Sequence, residues 1–167
     1  MATETDDSNA EALAVRFREA MGQVAAPVCV VTTMHEGGAH GTTVSAFMSL
    51  SMTPPMLLLS LDNSSRLLGH ITLRTRLGVN VLATGQHELA MRFAGKSAAK
   101  FEGVEWELDG GAPRLAGVHA WVALDVEQLV PAGDHKVVLG EVAAAEACDG
   151  FLPLTYHLRQ FGTHAAL

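Results

Sequence analysis

Apolar and polar positions along the chain change period several times, and each change marks a new element. Residues 1 to 8 read as a loose terminal tail ahead of one domain over 9–167. Ser8-Asn9-Ala10-Glu11 has capping-box spacing, and Leu13, Phe17, Ala20 and Met21 then recur on one helical face, so a helix is expected as far as Gly22. Pro27 to Thr33 reads as a strand, Gly37-Gly38 as a hairpin turn, and Gly41 to about Ser51 as a second strand. Met56 to Leu61 is a third strand and Leu77 to Leu82 a fourth, with short helices at Ser64 to Thr72 and Gln86 to Ala94. Trp106 to Pro113 reads as a loop with one short strand. Two long strands follow, Val118 to Val130 and His135 to Ala147, parted by Pro131-Ala132-Gly133-Asp134. Phe151 to Gly162, which holds the only tyrosine, Tyr156, reads as extended.

Six strands with a few short helices suggest a mainly β domain closed as an antiparallel barrel, not alternating βαβ units. No G-x-G-x-x-G occurs, so there is no fingerprint of a doubly wound dinucleotide fold. Met56 to Leu61 is apolar on both faces, whereas a small barrel needs only its inner face apolar. The outer face therefore calls for a cover, either a second subunit or a helix of the same chain.

Composition sharpens this picture. Only 17% of the 167 residues are charged, against 49% hydrophobic, which again points to surface buried in a homodimer. The net charge of −7 argues against nucleic acid as a partner. Six of the eleven basic residues nevertheless lie between Arg66 and Lys100, with Glu88 the only acid among them. Such an island suits a small anionic ligand, or a solvated helix face. Cys29 and Cys148 have no metal-ligand spacing, and Cys29 sits in the apolar run Val28 to Val31, as a buried thiol would in a reducing compartment. The acidic N-terminus lacks a secretion signal, and no apolar run approaches the ~20 residues of a membrane span. A soluble, cytoplasmic protein is expected.

The densest chemistry lies between Gly41 and Ser65. Thr42, Thr43, Ser45, Ser49 and Ser51 lead into Pro54-Pro55, and the run Met56 to Leu61 empties into Asp62-Asn63-Ser64-Ser65. A helix opening at Ser64 would offer free backbone N–H groups beside two hydroxyls, which suits a phosphate. Hydroxyls and peptide groups ahead of it suit a bulky, mostly uncharged ring carrying that phosphate. The plainer reading is a hairpin with solvated hydroxyls followed by an ordinary N-cap.

In these residues the chain resembles the short-chain flavin reductases of the FMN-binding split-barrel superfamily, reductase components of two-component flavin monooxygenases. The family's G-x-T-x-S-x-F-x-S-x-S-x-x-P-P pattern is met by Gly41, Thr43, Ser45, Phe47, Ser49, Ser51, Pro54 and Pro55. Asn63-Ser64-Ser65, Val79 to Leu82, Arg92-Phe93-Ala94, Lys100 to Val104, Gly133-Asp134-His135 and Pro153 to His157 follow in the family's order. Gln160-Phe161 departs from the Gly and Tyr of many relatives.

The resemblance implies a six-stranded antiparallel Greek-key split β-barrel that passes hydride from NADH or NADPH to FMN or FAD and supplies a partner monooxygenase. It places the flavin ring against Thr43, Val44, Ser45, Ala46, Phe47, Ser49 and Ser51, with Phe47 either a ring contact or core. Asp62, Asn63, Ser64, Ser65 and Arg66 would hold the phosphate. Phe93 would contribute to the flavin site, and Lys100 is either a second charge partner or a solvated lysine. His135, as the catalytic residue, would meet the nicotinamide, oriented by Asp134, and Tyr156 would join it. Two rival readings are a flavoprotein that retains FMN and reduces another substrate, and a non-catalytic flavin-binding protein.

Overall fold

Branched and aromatic apolar runs fold as strands in the computed structural model, which describes residues 3–166. Helix α1 (Thr3–Gly22) comes first, followed by β1 (Ala26–Pro27), β2 (Cys29–His35), β3 (Gly38–Val44), β4 (Phe47–Met52) and β5 (Pro55–Asp62). A 3₁₀ turn (Leu68–His70), β6 (Arg76–Val81), α2 (His87–Ala94), β7 (Trp106–Asp109) and β8 (Ala112–Leu115) form the middle of the chain. The long strands β9 (Ala120–Ala132) and β10 (His135–Ala147) precede a final hairpin, β11 (Leu154–His157) and β12 (Gln160–Thr163). Helix α1 starts at Thr3, so residues 3–8, expected as a tail, belong to it, and Ser8 lies within the helix instead of capping it. Residues 1 and 2 of that tail lie outside the described residues. No helix among the described residues is long and apolar enough to cross a membrane.

Seven strands form the main sheet, in the order β3-β2-β6-β9-β10-β5-β4, with every neighbouring pair antiparallel. Six were expected. The difference lies in the single strand foreseen over Gly41–Ser51, which breaks at Ser45-Ala46 into β3 and β4. These two halves occupy opposite edges of the sheet. Laid flat, seven strands would separate those edges by roughly 29 Å, whereas the link from Val44 to Phe47 reaches at most about 11 Å. The sheet must therefore roll up, and the β4–β5 ladder runs on into the link, where Ser60 N donates to Ala46 O at 2.9 Å.

The rolled sheet encloses an apolar interior that includes Val31, Leu59, Leu77, Val79, Leu124 and Val126. A second cluster, among it Phe93, Leu82, Leu115, Trp121 and Leu154, packs α2 and the β7-β8 hairpin against the outside of the sheet. Gly78 permits this, because a Cβ there would sit 2.2 Å from Trp121 Cη2. Asn80 clamps the hairpin. Its Nδ2 donates to Val30 O (3.1 Å) and Pro113 O (3.3 Å), and its Oδ1 accepts from Leu115 N at 2.7 Å, all buried. Cys29 is enclosed in the interior, where burial pushes its thiol well above the usual range.

On β5, Leu57, Leu59 and Leu61 point inward. The outer face carries a row across three strands, since Leu58 pairs with both Met48 of β4 and Leu139 of β10. Helix α1 does not cover it: Leu13, Phe17 and Met21 are themselves exposed.

Asn80→Ala strands the Leu115 N–H and loosens the Pro113 carbonyl inside the protein, and should cost about 2–4 kcal/mol of stability. Urea unfolding measures this, and a midpoint equal to wild type would show that the clamp carries no weight.

Candidate functional site

Closure of the sheet gathers three segments far apart in sequence. The Ser45-Ala46 link is fastened to Ser60, two residues before the turn at Asp62. On the other side of β5, His135 is the register partner of Asp62. The two turns are stitched together, since Asn63 N donates to Asp134 O (2.9 Å) and Asn63 Nδ2 to Gly133 O (3.4 Å). His135 Nδ1 lies 2.7 Å from Asp134 Oδ1. A carboxylate only accepts, so the ring proton sits on Nδ1 and Nε2 is the nitrogen a ligand can meet.

The turn after β5 differs from the helix start expected at Ser64. Ser64 N donates to Asp62 Oδ1 at 2.6 Å and Ser65 N to Asp62 O at 2.9 Å, so both N–H groups are occupied within an Asx turn. The only helical turn nearby is the three-residue 3₁₀ turn at Leu68–His70. Asp-Asn-Ser-Ser satisfies itself locally, which removes the need for a helix. Ser64, through its hydroxyl and its backbone N–H, holds the Asp62 carboxyl below the usual carboxylate range.

Beside this turn lies a cleft of about 850 Å³, lined by Ala39 to Thr42 of β3, by Asp62, Ser64 to Leu67 and His70, and by Ala94 to Ala98, Lys100 and Phe101. Arg66 ties two of these walls together. Its Nη2 donates to the Lys96 carbonyl and, at 2.8 Å, to the Ser97 carbonyl. Lys100 Nζ braces the third, donating to Gly41 O (3.1 Å) and Phe93 O (2.5 Å). Partial burial lowers the Lys100 pKa, and the neighbouring Arg66 charge lowers it further. Among the described residues, none of Arg66, Lys96 and Lys100 forms an ion pair. The cleft is thus cationic in a chain of net charge −7, with Asp62 as the acid on its edge.

Several expected site residues stand elsewhere. Val44 and Phe93 are buried, and neither lines the cleft. Phe93 instead supports Gly41 from behind, where a Cβ would lie 2.9 Å from its ring. Thr43 Oγ1 donates to Ala90 O at 2.6 Å and so fastens α2 to β3. Phe47 is half-buried and packs on the sheet interior. Ser49 is exposed, and Ser51 Oγ accepts from Thr53 N in the hairpin turn. Both lie far along β5 from Asp62, since Ser51 pairs with Met56, roughly 20 Å away at strand spacing. Tyr156 belongs to the small sheet β1-β11-β12, its ring 5.1 Å from Phe161, and does not line the cleft. Conversely, His40, His70, Lys96 and Phe101 line it without having been assigned to a site, as does Thr42, named only within the hydroxyl run. The basic island was the available signal for Lys96; no local pattern ties His40 to His70.

A second cavity, of about 500 Å³, opens between the β7-β8 hairpin and Phe151. Its arginine, Arg114, is held by Asp109 at 2.9 Å and Glu146 at 2.8 Å, which raise its pKa and leave it no charge to offer a ligand.

A cationic cleft beside an exposed β-strand link, on a rolled antiparallel sheet, defines a mainly β protein equipped for a small anionic ligand. Residues 21–165 match the flavin reductase like domain, and the chain belongs to that family. A flavin reductase of Pseudomonas putida is 35% identical over 153 residues, covering 90% of each chain. The actinorhodin polyketide dimerase of Streptomyces coelicolor is 40% identical over 147 residues, covering 87% of this chain and 83% of its own. Among solved structures, the NADH:FAD oxidoreductase SgcE6 of Streptomyces globisporus superposes with a TM-score of 0.85 at 30% identity, covering 90% of this chain and 92% of that one.

The Asx turn makes a titration prediction. A lowered carboxylate pKa means the turn gains stability above the ordinary aspartate pKa and loses it as pH falls through the lowered value. Carboxyl NMR should find Asp62 titrating below an ordinary aspartate, and Ser64→Ala should move it part of the way back. An identical titration in both proteins would remove the Ser64 hydroxyl from the turn.

Proposed function

We propose that this chain is an NAD(P)H:flavin oxidoreductase that reduces FMN or FAD and releases the reduced flavin to a separate monooxygenase. The observation that carries this reading is a gathering of groups around one end of β5. The serine turn and the Arg66, Lys96 and Lys100 cations stand beside the Ser45-Ala46 link and His135, in a chain of the flavin reductase-like family. That donor set fits a flavin phosphate: the Ser65 hydroxyl, the remaining N–H groups of Arg66 and the Lys96 ammonium can all donate to it. Ser45 and Ala46, exposed between two strands, present backbone to the polar edge of the ring.

Hydride passes from reduced nicotinamide to flavin, a reaction that belongs to the two rings once they are stacked. The chain supplies position and charge. Asp134 fixes the His135 ring, and the bonds from Asn63 to the 133–134 turn hold that ring beside the phosphate turn. His135 Nε2 then meets the nicotinamide, and its role is seating, not proton transfer. The rolled sheet is the split β-barrel of the family, working as one domain over residues 9–167 in the reducing cytoplasm, where the buried Cys29 stays a thiol.

A second copy of the chain covers the apolar outer row of Met48, Leu58 and Leu139 and the exposed Leu13, Phe17 and Met21 of α1. The motive is that these faces lack a cover among the described residues, in a chain only 17% charged.

Oxidation of NADH measured with and without added flavin tests the activity. Turnover that depends on added flavin supports a diffusing product, turnover on bound FMN indicates a retained cofactor, and no turnover leaves a binding protein. His135→Ala should raise the KM for NADH or slow flavin reduction while the flavin Kd stays within a few-fold. Wild-type reduction rates at every NADH concentration would remove His135 from the site.

Sedimentation should give twice the 17.6 kDa chain mass. A stable, active monomer at micromolar concentration would require another cover for β4 and β5.

A further inference from the structure

Three histidines from three elements meet at the far end of the cleft. His70, from the 3₁₀ turn, lies over both His40 of β3 and His35 of β2. Its ring centroid is 4.2 Å from His40 and 4.4 Å from His35, with tilts of 45° and 32°. His40 and His70 line the same cleft as Ser64, Ser65 and Arg66. Nothing in the proposed hydride transfer uses them. A phosphate alone would fill a fraction of about 850 Å³, a volume within the range of about 300–1,000 Å³ that encloses a whole drug-sized ligand.

Resting on the flavin reading above, we propose that the His40–His70 pair is a seat for the adenylate half of FAD and makes FAD the preferred flavin. His40 and His70, tilted 45° to each other, each bring an imidazole π-face to the cleft wall, and aromatic stacking tolerates any base. Lys100 donates to Gly41 O, next to His40 on β3, which puts a cation between the histidines and the Arg66 wall of the cleft lining. The walls carry Arg66, Lys96 and Lys100 against Asp62 alone, a balance suited to a diphosphate. Burial, together with His40 and His35, lowers the His70 pKa against the opposing pull of Glu36, which favours the neutral His70 ring. The same adenosine diphosphate chemistry occurs in NAD(P)H. Continuity with the phosphate turn assigns the seat to the flavin.

Flavin fluorescence titration of wild type, His40→Ala/His70→Ala and His70→Phe, with FMN, FAD and NADH as separate probes, tests this. The double alanine variant should lose FAD affinity about tenfold relative to FMN, and ADP should compete with FAD for the wild type. His70→Phe keeps a flat ring and should keep most of the FAD preference, which separates stacking from mere folding. An FAD-to-FMN affinity ratio unchanged by the alanines overturns the inference, as does a loss confined to NADH, which would assign the seat to the nicotinamide dinucleotide. If wild type binds neither FMN nor FAD, the flavin reading itself falls; binding of both with an indifferent ratio removes only the histidine seat.

Discussion

Val44 ends one edge strand of the main sheet and Phe47 begins the other, with only Ser45 and Ala46 between them. Seven antiparallel strands cannot lie flat under that constraint, so the sheet rolls and its interior fills with branched apolar side chains. Everything that concerns the site follows from where the roll closes. The β4–β5 ladder holds the Ser45-Ala46 backbone against Ser60, two residues before the turn at Asp62, and closure brings β3 up beside that turn. Pairing of β5 with β10 then delivers His135 to the same end of the barrel. The exposed link is thus both the seam of the fold and part of the proposed flavin site.

The cations of the cleft have a double duty. Arg66 and Lys100 donate to main-chain carbonyls of opposing walls, which holds the cleft open at a set width and fixes where the two charges sit. Carbonyl oxygens satisfy their hydrogen-bonding needs without neutralising them, so the positive potential survives for an anion. Arg114 shows the contrast. Two carboxylates grip it at the second cavity, and its charge is consumed within the protein. Two arginines therefore differ in availability because of what accepts their N–H groups, and Arg114 is also the less exposed of the two.

The packing outside the barrel supports the cleft from behind. Phe93 stands under Gly41, its ring edge-on to Phe101 at 4.9 Å, and Thr43 anchors α2 by one short hydrogen bond. Residues conspicuous in the sequence motif thus act partly as scaffold. Gly41 lets Phe93 approach, Thr43 carries the helix that carries Phe93, and Phe93 shapes the floor without reaching the ligand space.

Most strand positions, the two long strands β9 and β10 and, to within one residue, the first hairpin turn (Glu36-Gly37 instead of Gly37-Gly38) were legible in the sequence, because β-branched runs and turn residues act locally. The serine turn, the basic island and the Gly-Asp-His turn were legible as candidates for the same reason. Local pattern could not show the break at Ser45-Ala46, since a strand that changes sheet edge looks in sequence like one that continues. Nor could it show that Ser64 and Ser65 donate their N–H groups back to Asp62, because a capping motif and an Asx turn share the same residues. The joining of His35, His40 and His70 was out of reach altogether: it depends on how β2, β3 and the 3₁₀ turn meet. The sequence by itself determined which residues could bond, stack or carry charge. Only the tertiary structure decided which of them share a cleft, because sheet closure, not sequence separation, sets the distances between them.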